Sequence, residues 1–440
     1  MTQKTIILFI VWLAISIIAP SFGAAEIPSA APKRSNPFNA VVAQDGSGDY
    51  HTIQQAIDRV PTGRTTPWLI FVKSGRYQEL VRIPIDKPFI HLIGQQRDSV
   101  VITFKINCSD PERPNDEGKA FSKKKVGQSD CATVVIDASD FYAENISFEN
   151  AWGVEEQKGP QALAIKTNND KFAFYNCRFR SFQDTWMTST RGINDRTYAA
   201  NCWIEGAVDY VYGGGNAYVE KSTFYNVRSG AVIVAPSHRE GTKWGYVFDH
   251  CVVDGNLAAA DGRVKLGRPW HNLPIAVYLN TTMKITPHPE GWTDMGPAAK
   301  LFAEYNSRAT DGSVIDLNQR RTWYKQSAGE GGQKIDGLKS QLTQQEAKVY
   351  TYKNIIIAGD GWDPRTFYQS NDKPVLKKDS GGNLQWERDK QSIGYIIFKD
   401  GKILGFTTLN SFKIPKRRAE YMVQGINKFG SLGIKSDLIN

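Results

Sequence analysis

The sequence predicts an all-β protein: a parallel β-helix followed by a small antiparallel β-sandwich. Three observations predict it. A short phrase recurs through the middle of the chain, as Asn145-Ile-Ser-Phe148, Asn176-Cys-Arg-Phe179, Asn201-Cys-Trp-Ile204, Lys221-Ser-Thr-Phe224 and His250-Cys-Val-Val253, with starts 20 to 31 residues apart. Short β-type runs with frequent Asn and Gly lie between the phrases, as in coils stacked about 4.8 Å apart. From about residue 373 onward, short runs are separated by tight turns, which fits antiparallel pairing. The alternative, a β-propeller, needs blades of about 40 residues or more.

In chain order, Met1–Lys4 carries one positive charge, Ile6–Ile18 is almost wholly apolar, and small residues follow at Gly23, Ala24 and Ala25. This pattern predicts a secretory signal peptide over residues 1–24, since the apolar run is short for a membrane span. The mature chain is then extracellular or periplasmic, with no membrane span. Residues 25–38, rich in Ala, Pro and Ser, read as a linker. The β-helix domain is expected over 39–367. Within it, Thr52 is a candidate N-cap for a short helix at Ile53–Ile57. Strands are expected at Trp68–Lys73, Leu80–Ile83, Ile90–Ile93 and Val100–Phe104. The coils should end near Tyr305, with a capped helix start at Gln341–Ala347 and a closing turn at Gly361–Pro364. The sandwich is expected over 373–440, with strands at Asn383–Glu387, Ile393–Lys399, Lys402–Thr408, Tyr421–Ile426 and Leu432–Lys435. Trp386, Tyr395 and Tyr421 would fill its core. It has no obvious row of exposed aromatics, so a spacer role is preferred over polysaccharide binding.

Composition bounds the function. The 440 residues are 41 % hydrophobic and 22 % charged, enough to bury a large core without metals or staples. Lys plus Arg exceed Asp plus Glu by 54 − 45 = 9, which favours an anionic partner. Secretion argues against nucleic acid and leaves acidic polysaccharide. The five cysteines lack zinc-type spacing and the six His are scattered, so no metal and no cofactor are expected. Cys177 and Cys202 occupy matching phrase positions, as a disulfide or as stacked thiols. Cys108 and Cys131 flank a polar loop that a bridge could close; Cys251 would then stay free.

The phrases also align two carboxylates. Asp184 follows Asn176 by eight residues, and Asp209 follows Asn201 by eight. In register they lie on neighbouring coils about 5 Å apart, where both cannot comfortably ionise. One acid beside one carboxylate can serve as proton donor and nucleophile. Their flanks are Gln183-Asp184-Thr185-Trp186 and Asp209-Tyr210-Val211-Tyr212-Gly213. Gln161-Ala162-Leu163 precedes them and Leu266-Gly267-Arg268-Pro269-Trp270 follows. With Gly75-Arg76-Tyr77-Gln78-Glu79, these segments resemble, in order, the signatures of the pectin methylesterases, over roughly residues 38 to 367.

That resemblance implies a right-handed, pectin-lyase-like β-helix and a secreted pectinesterase. Its substrate would be methylated homogalacturonan, giving methanol and pectate. It implies Asp209 as nucleophile, Asp184 as general acid and then base, Gln161 and Gln183 as oxyanion donors, and Arg268 as the partner of Asp209. Trp270 would stack on a sugar ring; Thr133 and Tyr210 match substrate-contact positions. Tyr210 and Tyr212 stand where the family usually has Phe, and Trp186 where it has Leu; these aromatics are expected to line the groove. The sandwich resembles fibronectin type III-like modules of secreted bacterial polysaccharide-degrading enzymes. A monomer is the default for such a helix. Two other classes remain: a β-helix lyase or glycosidase acting on polygalacturonate, and a non-catalytic polysaccharide-binding protein.

Overall fold

The computed structural model describes residues 35–109, 131–189, 192–357, 359–415 and 418–440. The expected leader, most of the linker and most of the loop between Cys108 and Cys131 lie outside the described residues.

The phrase has a physical basis. Its first residue holds a left-handed backbone, with φ of 58°, 50°, 54°, 49° and 52° at Asn145, Asn176, Asn201, Lys221 and His250. Asn tolerates that region best among residues with a side chain, because it can hydrogen-bond locally. The Asn176 amide donates to Asn145 Oδ1 at 2.7 Å, so one corner supports the next. The chain then turns inward. Ile146, Cys177, Cys202, Ser222 and Cys251 are buried, as are Phe148, Phe179, Ile204, Phe224 and Val253 two positions on. The Phe148 and Phe179 rings stack at 5.6 Å.

Repeating corners generate three parallel sheets among the described residues. One has ten strands, from Ala40–Val42 to Leu301–Tyr305; another has nine, from Gly75–Gln78 to Arg308–Ala309. The third carries the site and runs through β1 (Val81–Ile83), β2 (Ala132–Ile136), β3 (Leu163–Thr167), β4 (Trp186–Thr188), β5 (Val208–Gly213), β6 (Val232–His238) and β7 (Lys265–Gly267). Apolar side chains from all three sheets meet inside the coils. The fold is thus mostly β, as the phrase predicts. The short helix Ile53–Asp58 starts at Thr52 with a capping box to Gln55. Glu79 accepts from the Ile53 and Gln54 amides at 2.9 Å, so the acidic end of the Gly75–Glu79 motif anchors this helix. Helix Gln344–Ala347, capped by Thr343, belongs to a segment that packs Leu342, Tyr352 and Ile356 on the outside of the ten-stranded sheet.

Cys108 and Cys131 are disulfide-bonded, whereas Cys177, Cys202 and Cys251 are buried thiols. Interior stacking, not bridging, is therefore what the matched cysteines do. Among the described residues no helix is long and apolar enough to cross a membrane.

Near the C-terminus, β8 (Ser392–Lys399), β9 (Lys402–Thr407), β10 (Tyr421–Asn427) and β11 (Leu432–Lys435) form an antiparallel sheet beside a smaller three-stranded one. The turn from β8 to β9 uses Asp400 and Gly401 with φ of 49° and 76°, the conformation a two-residue hairpin requires. Trp386, Tyr395 and Tyr421 share one core, as expected from the sequence. The sheet does not stand off as a spacer. Ile396, Phe398 and Ile426 join Phe38, Phe71 and Ile93 of the early coils in one apolar cluster, and Phe406 packs edge-on against Phe38 and Phe71. The His91 ring lies 2.9 Å, through Nδ1, from the Phe429 carbonyl across this seam.

Candidate active site

Strands β4 and β5 pair with Trp186 opposite Val211 and Met187 opposite Tyr212. Continued backwards, this register sets Asp184 opposite Asp209, and the Asp184 amide donates to the Val208 carbonyl at 2.9 Å. Both aspartates have left-handed backbones, with φ of 62° and 50°. Such conformations are tolerated by Asp and concentrate at functional sites. Between Val208 and Val211 the pairing of β5 with β6 also slips, a bulge that re-aims the side chains around it. Tyr210 and Val211 both enter the core inside the coils, while Tyr212 joins Ala132, Leu163 and Met187 in a separate cluster.

Arg268 follows β7 and is held by its amide, which donates to the Val234 carbonyl at 2.9 Å. At Gly267 a Cβ would lie 2.6 Å from a Val234 methyl, so only glycine allows this approach. The guanidinium then grips Asp209 with both forks: Nε to Oδ1 at 2.7 Å and Nη2 to Oδ2 at 2.6 Å. Charge-assisted bidentate contacts of this kind fix both charge and direction. Asp184 has no such ion pair. Burial, and next the charge of Asp209, push its carboxyl well above the usual range; Arg268 and the Tyr212 hydroxyl pull weakly the other way. The pair thus holds one neutral carboxyl and one carboxylate side by side, an arrangement able to combine proton transfer with nucleophilic attack.

Gln161 and Gln183 are half-buried on neighbouring coils, joined by the Ala162 amide donating to the Gln183 carbonyl at 3.1 Å. The Gln161 carbonyl accepts from the Cys108 amide at 2.9 Å, which ties this edge to the disulfide. Trp270 is half-buried and meets Tyr212 edge-on at 5.5 Å. Three expectations are corrected. Thr133 is fully buried, with its hydroxyl donating to the Glu149 carbonyl at 2.9 Å. Tyr210 is fully buried inside the coils, with its hydroxyl donating to Asn226 Oδ1 at 3.2 Å. Trp186 is likewise interior, stacked on Phe179. None of the three faces a groove. The aromatic brought to the carboxylates is Tyr212. Strict alternation along β5 sets Tyr210 and Tyr212 on one face, and the bulge that separates them has no sequence mark of its own. One clue lies at Gly206, where a Cβ would sit 2.4 Å from that of Tyr210. Among the described residues no cluster of His, Cys, Asp or Glu is arranged to hold a metal ion.

Stacked coils bearing a carboxylate pair and an arginine on one sheet define a parallel β-helix protein with an acid–carboxylate site. Sequence comparison then gives the family. A family model described as Pectinesterase matches residues 39–360, and the chain belongs to that family. It is 35 % identical to Pectinesterase 31 of Arabidopsis thaliana over 268 residues, spanning 60 % of this chain and 80 % of that protein. It is 31 % identical to a pectinesterase of Petunia integrifolia over 315 residues, spanning 68 % and 78 %. Its fold is similar to that of the pectin methylesterase from carrot, with a TM-score of 0.61 and 25 % identity over 77 % of this chain and 98 % of that one.

Proposed function

We propose that this chain is a secreted carboxylic ester hydrolase that removes methyl groups from the galacturonate units of pectin. The observation that carries the reading is the Asp184–Asp209 pair with Arg268 clamped on one member only. Family membership supplies the substrate class. In this reading Asp209, kept ionised by Arg268, attacks the ester carbonyl carbon. The side-chain amides of Gln161 and Gln183 donate to the oxyanion, where such donors are worth about 3 kcal/mol each. As the tetrahedral species collapses, the C–O bond to the methoxy group breaks and Asp184 gives that oxygen its proton, releasing methanol. Asp184, now a carboxylate, takes a proton from water. The hydroxide attacks the acyl carbon, freeing Asp209 and leaving a galacturonate carboxylic acid that ionises. Trp270 offers a stacking face for a sugar ring. The excess of nine positive charges suits a substrate that grows more anionic as it is processed. Residues 1–24 act as the leader, and residues 373–440 are read as a fibronectin type III-like module on the support of their two small antiparallel sheets.

The test is methanol release from highly methylated pectin, with EDTA present, by the mature chain and by Asp209→Ala. Release by the wild type that vanishes in the variant is the expected result. A folded wild type that frees no methanol overturns the reading, and unsaturated or reducing ends would then indicate a lyase or glycosidase. Equal release by both proteins would remove Asp209 from its role.

A further inference from the structure

We infer that the outer layer of the C-terminal module is a basic docking surface for a polycarboxylate chain, by which the enzyme holds on to polysaccharide it has demethylated. The identity of that chain rests on the pectinesterase reading; the surface itself does not.

Charge is divided unevenly along the sequence. Residues 373–440 have 13 Lys and Arg against 6 Asp and Glu, an excess of seven out of the whole chain's nine. Residues 25–372 have 40 against 39. The body that carries the carboxylate pair is thus close to neutral, and the module supplies the positive field. Within the module the charge is layered as well. β8 and β10 have one face on the coils and the other on the core of Trp386, Tyr395 and Tyr421. The three-stranded sheet (Lys377–Lys378, Leu384–Gln385 and Ser411–Phe412) covers that core, so its second face points away from the coils. Lys377, Gln385 and Ser411 form one row across it. This sheet and its adjoining loops carry Lys377, Lys378, Arg388, Lys390, Lys413 and Arg418, all exposed, against Asp379, Glu387 and Asp389. Segments 391–408 and 419–440 have four cations against three acids.

The outer cations are left without counter-charges. Among the described residues, the module's one ion pair is Lys373 with Asp437 at 2.7 Å. Asp379 is taken up by its own turn, accepting from the Gly381 and Asn383 amides at 2.9 and 2.8 Å. Asp389 likewise accepts from the Gln391 amide at 2.9 Å and the Ser392 hydroxyl at 3.0 Å. The coils behave differently: Arg180 spans Glu149 and Glu205, and Arg196 spans Asp170 and Asp360. Like charges kept together repel one another, and an external polyanion relieves that repulsion. Trp386 and Phe412 face the core, so recognition is by charge, with Gln385 and Ser411 as hydrogen-bonding groups between the cations. A linear polymer with a carboxylate on successive units fits such a face. A methyl ester is uncharged, so affinity should rise as the esters are removed.

The experiment measures retention of the full mature chain on immobilised polygalacturonate. Wild type is compared with Lys377→Glu/Lys378→Glu/Lys413→Glu. A control, Lys300→Glu/Lys348→Glu/Lys353→Glu, makes the same change in net charge at exposed lysines outside the module. Wild type should bind, and should be released as NaCl rises from about 0.01 M to about 1 M, which shortens the Debye length from about 30 Å to about 3 Å. The module variant should bind at least about tenfold more weakly, and the control within about threefold of wild type. Highly methylated pectin should retain wild type less than polygalacturonate does. Equal loss in both variants, or loss in neither, overturns the inference. So does tighter binding to duplex DNA or to vesicles of anionic lipid. If module-dependent binding appears in a protein that frees no methanol, the surface stands and the pectinesterase reading fails. Should the module variant not fold, as judged by thermal unfolding, glutamine at the same three positions removes the charge without reversing it and decides by the same comparison.

Discussion

Asp184 and Asp209 are the same residue type on matching positions, and their surroundings make them chemically different. Asp209 is gripped at both oxygens by Arg268, whereas Asp184 is buried without a cation of its own. A lysine at 268 would keep the charge but lose the two-pronged geometry. Arg268→Lys is expected to lower kcat/KM about a hundredfold, the equivalent of about 3 kcal/mol, with the loss in kcat rather than KM. An unchanged kcat would show that charge alone suffices there. The aspartates were legible because each stands eight residues after its corner Asn. For Thr133 and Tyr210 the resemblance implies substrate contact, but it does not carry side-chain direction: Thr133 turns inward to the Glu149 carbonyl, and the bulge in β5 turns Tyr210 into the coils.

Coils inherit their regularity from the corners. At Asn176 the backbone is left-handed, and the side chain both donates to Asn145 and accepts from Arg97 Nη1 at 3.2 Å. Alanine would strain the backbone and lose both contacts; glycine would lose only the contacts. Asn176→Ala should reduce unfolding free energy by about 2–3 kcal/mol and Asn176→Gly by about 1 kcal/mol in chemical denaturation. Equal losses would mean that the left-handed turn is not the reason for Asn. This is why the helix could be read from sequence at all: the turn that closes each coil demands few residue types. Lys221 and His250 take the same conformation, so the phrase tolerates exceptions once stacking on both sides enforces it. Sequence position alone allows the cysteines at the next position to be either a bridge or a pair of thiols. The structure resolves them as interior packing, a role in which sulfur acts as a small hydrophobe.

At the scale of the whole molecule, the seam between the early coils and the C-terminal sheet is what the sequence did not reveal. Alternation along β8 and β10 is legible, but both faces of β8 are buried: one carries Tyr395 and Ile397 into the small core, the other carries Ile396 and Phe398 against the coils. A run of apolar residues does not say what covers its second face. His91 lies in this seam, and burial lowers its pKa from 6.5 to about 4. Because the folded-state value is depressed, the neutral ring is favoured on folding. That stability is complete above pH 6.5, and about 3 kcal/mol is lost as the pH falls from there towards 4. Glu144 in the same seam is shifted upward by burial and acts with the opposite sign, so the effect of His91 must be read as a difference. His91→Gln should unfold with a weaker dependence on pH than wild type between 6.5 and 4. Parallel pH profiles would show that the seam tolerates the charged ring.

The same seam joins the parts of the chain that are made first to those that are made last. The outer face of the first coils is apolar at Phe38, Phe71 and Ile93, and the strands that cover it come from residues 392–427. Phe429, whose carbonyl meets His91, is made 338 residues after it. Coils can stack as they emerge, yet the earliest ones stay greasy until the latest strands arrive. A chain interrupted in the final sheet would already hold the carboxylate pair and its arginine. It would also display a sticky flank to proteases and to other chains. Only the finished chain covers that flank, because the surface is built where the first and the last segments meet.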